Sequence, residues 1–163
     1  MSLRRVLAHP GVVVAGLALA ASASGLANGF VYDDIPIIQQ NPIVRQVGAI
    51  GRIWSTPYWP AGLLYRPVTV QLFAAEWALG GGSPVVFHVV SVLLNVLTAV
   101  LLWRLARRLL PPLPALAAAA LFAVHPVHAE SVANVVGQTE LLAAALALLS
   151  VERYLAWRER GPL

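Results

Sequence analysis

Apolar residues collect in four long blocks along this chain, parted by segments where proline, glycine and charge accumulate. From Val6 to Ala27, 22 residues pass without a charge, enough helix to cross a hydrocarbon core of about 30 Å. Val85 to Trp103 predicts a second span, closed by Arg104, Arg107 and Arg108. Pro114 to Val127 predicts a third, Ala-rich and short. Leu141 to Ala156 predicts a fourth, bounded by Arg153, Arg158 and Arg160. The expected fold is an all-α integral membrane protein, one membrane domain over 1–163 with spans near 6–27, 85–103, 114–127 and 141–156.

The segment 28–84 between the first two spans is long, and it is rich in aromatics: Trp54, Tyr58, Trp59, Tyr65, Phe73 and Trp77. Such rings suit the headgroup layer of a bilayer. Val68 to Leu79 reads as a helix lying in that interface. Gly80-Gly-Gly-Ser-Pro84 breaks the chain before the second span, while Pro57, Pro60 and Pro67 stiffen the middle of the loop. Loops of this length are usually functional.

Composition agrees with the apolar pattern. Hydrophobic residues make up 59% of the chain and charged ones 11%, with mean hydropathy +0.75, where a soluble domain is nearer one quarter charged. No Cys is present, which excludes thiol catalysis, disulfides and thiolate metal sites. A net charge of +4, scattered along the chain, is too small for a nucleic-acid footprint. Every basic residue is Arg and none is Lys; with abundant Ala, Gly and Pro this points to a high-GC bacterial genome.

Arginine also sets the expected orientation. If both termini are cytoplasmic, Arg4, Arg5, Arg104, Arg107, Arg108, Arg153, Arg158 and Arg160 all lie inside, as the positive-inside rule requires. The long loop is then periplasmic and the chain resides in a bacterial inner membrane. Ala21-Ser-Ala-Ser24 resembles a signal-peptidase site, so a cleaved leader is the alternative for the first span. The apolar run is longer than a usual leader core, which favours an uncleaved helix.

Chemistry concentrates on the outer face. Asp33 and Asp34 follow the end of the first span and offer an acidic pair for a cation, a metal-bound phosphate or an acceptor proton. Phe122-Ala-Val-His-Pro-Val-His-Ala-Glu-Ser131 places two His and a Glu at the mouth of the third span. Ionisable groups there are costly to desolvate and suggest function; the bland alternative is a polar helix end turning back to the next span. His125-x-x-His128 is also a metal-ligand spacing, though no further ligands are positioned with it. The Asp pair leaves room for a divalent cation without a complete ligand set.

A series of motifs in order carries a resemblance: Phe30-Val-Tyr-Asp-Asp34, Asn41, Tyr65-Arg-Pro-Val-Thr69, Pro84-Val-Val-Phe-His88, Leu121-Phe-Ala-Val-His-Pro-Val-His-Ala-Glu-Ser-Val132 and Gly137-Gln-Thr-Glu-Leu-Leu142. The series resembles the membrane part of the transmembrane and tetratricopeptide-repeat O-mannosyltransferases and their bacterial relatives, in the GT-C superfamily of polyprenyl-phosphate-sugar-dependent glycosyltransferases. The resemblance implies that Asp33 or Asp34 acts as base on, or orients, an acceptor hydroxyl while the sugar leaves its lipid phosphate with inversion. It implies Arg66 as the partner of that phosphate, a guanidinium being suited to bidentate phosphate contact. His125, His128 and Glu130 would line the same donor pocket. Arg66 as a headgroup anchor and His88 as a packing residue are the structural alternatives.

The chain also departs from that family. Such transferases usually carry more membrane helices, and the named relatives add a helical repeat domain, which is not seen here. Gln138 stands where members commonly have Arg, in Gly-Arg-x-Asp/Glu-Leu-Leu. The expectation is therefore a truncated or partial GT-C module, with membrane lipids, a polyprenyl-phosphate sugar and membrane protein partners as its contacts. The alternative function is a non-catalytic relic serving as a small accessory subunit of a larger, for example energy-transducing, membrane complex. A small transporter is the third class, against which the uncharged span centres and lack of an inverted repeat argue.

Overall fold

The computed structural model describes residues 9–59, 62 and 64–161. Arg4, Arg5 and the first residues of the expected first span, 6–8, lie outside the described residues, as does Pro60.

Among the described residues the secondary structure is entirely helical. Helix α1 (Pro10–Ser22) continues as a 3₁₀ turn to Ala27. A short π-helical turn (Ile35–Gln39) and α2 (Ile50–Ile53) follow in the long loop. Then come α3 (Pro67–Gly80), α4 (Pro84–Leu109), α5 (Pro112–Ala123), α6 (His128–Ala133), a 3₁₀ turn (Val135–Gly137) and α7 (Gln138–Glu159). Proline opens α1, α3, α4 and α5, the first helical position being where its missing N–H is harmless. Gly81 closes α3 in the left-handed region at φ 59°, which glycine reaches at no steric cost.

Three segments are long and apolar enough to cross a membrane: Pro10–Ala27, Pro84–Leu109 and Val135–Glu159. The expected third span is a shorter helix than its expected bounds: α5 has 12 residues, about 18 Å of helix, less than a hydrocarbon core is thick. The segment between α4 and α7 returns the chain to the loop end of the bundle. Helix α5 stops at Ala123 because Pro126 follows, and residues 124–127 are non-helical. The second and fourth spans exceed their expected bounds, reaching Leu109 and starting at Gln138.

Small residues let these helices approach. Val14 and Ala18 of α1, Ala99 of α4, and Ala119 and Ala123 of α5 form one buried cluster, the close packing that stabilises helices where no hydrophobic gain is available. Asn95 Nδ2 donates to Ser22 Oγ at 2.8 Å, tying α4 to α1. Helices α4 and α7 run parallel: Thr98 Oγ1 donates to the Leu141 carbonyl at 3.4 Å, and farther along Arg104 meets Glu152 at 2.6 Å and Arg108 meets Glu159 at 2.7 Å. Arg104, Arg107, Arg108, Arg153, Arg158 and Arg160 thus gather at one end of the bundle, and the long loop caps the other.

That loop has a core of its own. Ile37, Ile38, Val44, Ile53, Tyr58, Val70, Phe73 and Ala74 pack on Phe87 of α4 and Val135. Helix α3 lies where the sequence places a helix, with Val70, Phe73, Ala74 and Glu76 turned into this core and Val68 and Leu79 exposed. The loop is a folded cap over the spans.

Candidate functional site

At the loop end a polar cleft opens between the first loop, the start of α3, α6 and the start of α7. Asp33, Arg66, Glu130 and Glu140 supply its charges, and Tyr58, Trp59, Ser131 and Asn134 line it further. Residues far apart in sequence meet here because Asp34 fastens the loop to the α6–α7 junction. Asp34 is 0% exposed. One oxygen accepts from the backbone N–H of Val136 at 2.9 Å, and the other from Val135 at 3.3 Å and Val31 at 3.2 Å. Burial pushes its pKa up, against the pull of the three N–H donors.

The acidic pair is therefore divided. Both Asp34 oxygens are occupied by backbone donors, which leaves Asp33, exposed on the cleft, as the one carboxylate of the pair that can meet a ligand. Arg66 precedes α3, with its guanidinium 5.0 Å from the Tyr58 ring and 3.8 Å from Glu140. The stack fixes the plane of the group, and the ion pair is longer than a close charge-assisted hydrogen bond. Burial raises the Tyr58 phenol above its ordinary value, partly offset by its neighbours Thr139 and Arg66.

His125 and His128 do not share this cleft. They line a second, smaller cavity formed by α1, α4, α5 and α6, with Ser22, Asn95 and Ala133. His128 packs on Phe122 with ring centres 4.3 Å apart, and burial, then the adjacent His125, lower its pKa. His125 Nδ1 accepts from the Val127 N–H at 3.2 Å. Among the described residues no three His, Asp or Glu converge as a metal set. Glu130, from the same block, does face the first cleft, since two residues, roughly 200° of helix, turn it away from the His128 side. His88 is buried with Nε2 3.4 Å from the Gly29 carbonyl, as a packing residue would be.

Tyr58, Ser131, Asn134 and Glu140 were not among the expected site residues. For the last three the signal was the Glu-Ser and Gly-x-x-Glu sequence flanking Asn134, which only the tight α6–α7 turn folds together. Gly137 permits that turn: a Cβ there would lie 2.6 Å from both Cα and the carbonyl oxygen of Ser131. Gly137→Ala is expected to cost about 1–3 kcal/mol through forced backbone movement, read as a lower thermal transition in detergent. Gly16→Ala, where nothing lies within 4 Å, serves as the harmless control.

The arrangement defines a polytopic helical membrane protein with an acid and an arginine facing one open cleft at the end of its bundle. Residues 66–161 match the family described as dolichyl-phosphate-mannose-protein mannosyltransferase, and the chain belongs to that family, within the GT-C glycosyltransferases. It is 40% identical over 157 residues to protein O-mannosyl-transferase Tmtc2 of Drosophila melanogaster, covering 89% of this chain and 17% of that relative. Human protein O-mannosyl-transferase TMTC4 is 38% identical over 91% of this chain and 23% of its own length. Mouse protein O-mannosyl-transferase TMTC1 is 37% identical over 93% of this chain and 18% of its own. The chain thus spans about a fifth of the length of these relatives. No solved structure is a significant match.

Proposed function

We propose that the chain is the acceptor-side membrane part of a glycosyltransferase that moves a sugar, a mannose by analogy with its relatives, from a polyprenyl phosphate to a protein hydroxyl on the extracytoplasmic face. The carrying observation is that Asp33 and Arg66, from opposite ends of the long loop, face one cleft.

In this reading Asp33 takes the proton of the acceptor hydroxyl as the acceptor oxygen bonds to the anomeric carbon. The bond from that carbon to the phosphate oxygen breaks, and the phosphate leaves with its electron pair, inverting the centre. Arg66 holds the leaving phosphate. Its place at the N-terminus of α3 adds helix-dipole support for an anion, and the start of α7 borders the same cleft. Those two positive helix ends offset the carboxylates of Glu130 and Glu140. An incoming phosphate would exchange for Glu140 on Arg66, a trade made easy by the 3.8 Å separation. Asp34 is a positioning residue, and His125 and His128 shape the adjoining cavity.

The test is transfer of labelled sugar from a polyprenyl phosphate to a hydroxyl peptide in proteoliposomes. Asp33→Asn is expected to reduce transfer by about 10²–10⁴-fold, with the thermal transition unchanged. Full transfer by Asp33→Asn would overturn the assignment. The family relationship and the cleft favour this reading over an accessory-subunit role.

A further inference from the structure

A second polar recess lies at the opposite, arginine-rich end of the bundle, lined by Arg104, Arg107, Arg108 and Glu152. We propose that it binds one anionic phospholipid whose headgroup carries a hydroxyl, phosphate on the arginines and hydroxyl on Glu152.

The three arginines sit at i, i+3 and i+4 in the last turns of α4 and so share one face. Arg104 and Arg108 are oriented by Glu152 at 2.6 Å and Glu159 at 2.7 Å, and each guanidinium keeps further N–H donors. Arg107 makes no ion pair among the described residues; its guanidinium carbon lies over the Trp103 ring, 4.8 Å from its centre, and its N–H donors remain for an anion. Glu152 is 4% exposed, and its Oε2 has no donor. A buried carboxylate oxygen without a partner is costly, and a headgroup hydroxyl in the recess would satisfy it.

Position selects a lipid as the source of the phosphate. The recess lies between α4 and α7, both long enough to span, at a level marked by Trp103, Tyr154 and Trp157, where headgroups reside. Charge selects an anionic lipid over a zwitterionic one. Among the described residues this end carries six arginines (104, 107, 108, 153, 158 and 160) against Glu152 and Glu159, and basic recesses between spanning helices favour anionic headgroups.

Native mass spectrometry of the full chain, released from micelles doped with defined lipids, tests this. Phosphatidylglycerol should be retained at one per chain. Phosphatidylcholine, the hydroxyl-free anionic phosphatidylmethanol and soluble glycerol phosphate should each be held more weakly. Arg107→Gln should lower phosphatidylglycerol retention about fivefold, the factor matching roughly 1 kcal/mol per interfacial arginine, while Arg160→Gln leaves it unchanged. Arg107→Lys, which keeps the charge, guards against a folding artefact and should retain more lipid than Arg107→Gln. Equal retention of phosphatidylglycerol and any of the other three ligands overturns the proposal. So does equal loss in Arg107→Gln and Arg160→Gln, which would mark a diffuse charge effect.

Discussion

Asp34→Ala is expected to destabilise the loop end by about 3 kcal/mol or more, whereas Asp33→Ala stays within about 0.5 kcal/mol of the parent. The two residues are neighbours in sequence but differ in what they touch. Removing the Asp34 carboxylate orphans the N–H groups of Val31, Val135 and Val136, and each buried donor left without a partner costs roughly 1–3 kcal/mol. The Val31 bond is local and its donor can find water, so the larger part of the loss falls on the two bonds that span more than a hundred residues. Asp33 is exposed and accepts the Ile37 N–H through its backbone only. Thermal unfolding in detergent separates the variants by their transitions, and the transfer assay separates them in the reverse order: Asp33→Ala folded and inactive, Asp34→Ala unstable. Equal transitions for the two would remove the division of roles.

The membrane-spanning helices were legible because long uncharged runs have few other uses, and the arginine clusters marked one end of the bundle. Helix α3 was legible from its apolar pattern and the Gly80–Gly82 stop. The length of α5 was not: Val124 and Val127 extend its apolar run, but Pro126 ends the helix earlier than hydropathy does. The division of Asp33 from Asp34 was beyond sequence reasoning, because it depends on backbone donors supplied from Val135 and Val136. The grouping of His125 and His128 with Arg66 followed from their shared face of the membrane. The tight turn at α6 instead sends the imidazoles toward α1 and α4, and Glu130 toward Asp33. Gln138 stood out only as the residue in place of a commonly found Arg. Its side chain is fully buried, donating to the Phe87 carbonyl at 2.9 Å and to Glu76 at 3.3 Å.

That placement makes Glu76→Gln an expected stabilising change, by roughly 3 kcal/mol at pH 7. Glu76 is 1% exposed in the loop core, and burial raises its pKa from 4.5 to about 8, only partly opposed by the Gln138 amide. The folded chain therefore holds a proton on Glu76 at pH 7 that the unfolded chain releases. Stability is full below about pH 4.5 and falls as pH rises toward 8, at up to about 1.4 kcal/mol per unit. Glutamine is close in shape to the neutral carboxyl and does not ionise, so the variant should show this slope removed, with the largest gain near pH 8. The Phe87 carbonyl fixes which end of the Gln138 amide faces Glu76, so Gln138 can support the carboxyl but cannot neutralise it. Gln138→Arg, the residue common at this point in the transferases the chain resembles, would place a fixed positive charge beside Glu76. It should draw that carboxyl back toward its ordinary range and flatten the pH profile by a different route. Unfolding curves from pH 5 to 9 for the parent and both variants measure the slopes directly. An undiminished slope in Glu76→Gln would mean that another group carries the pH dependence.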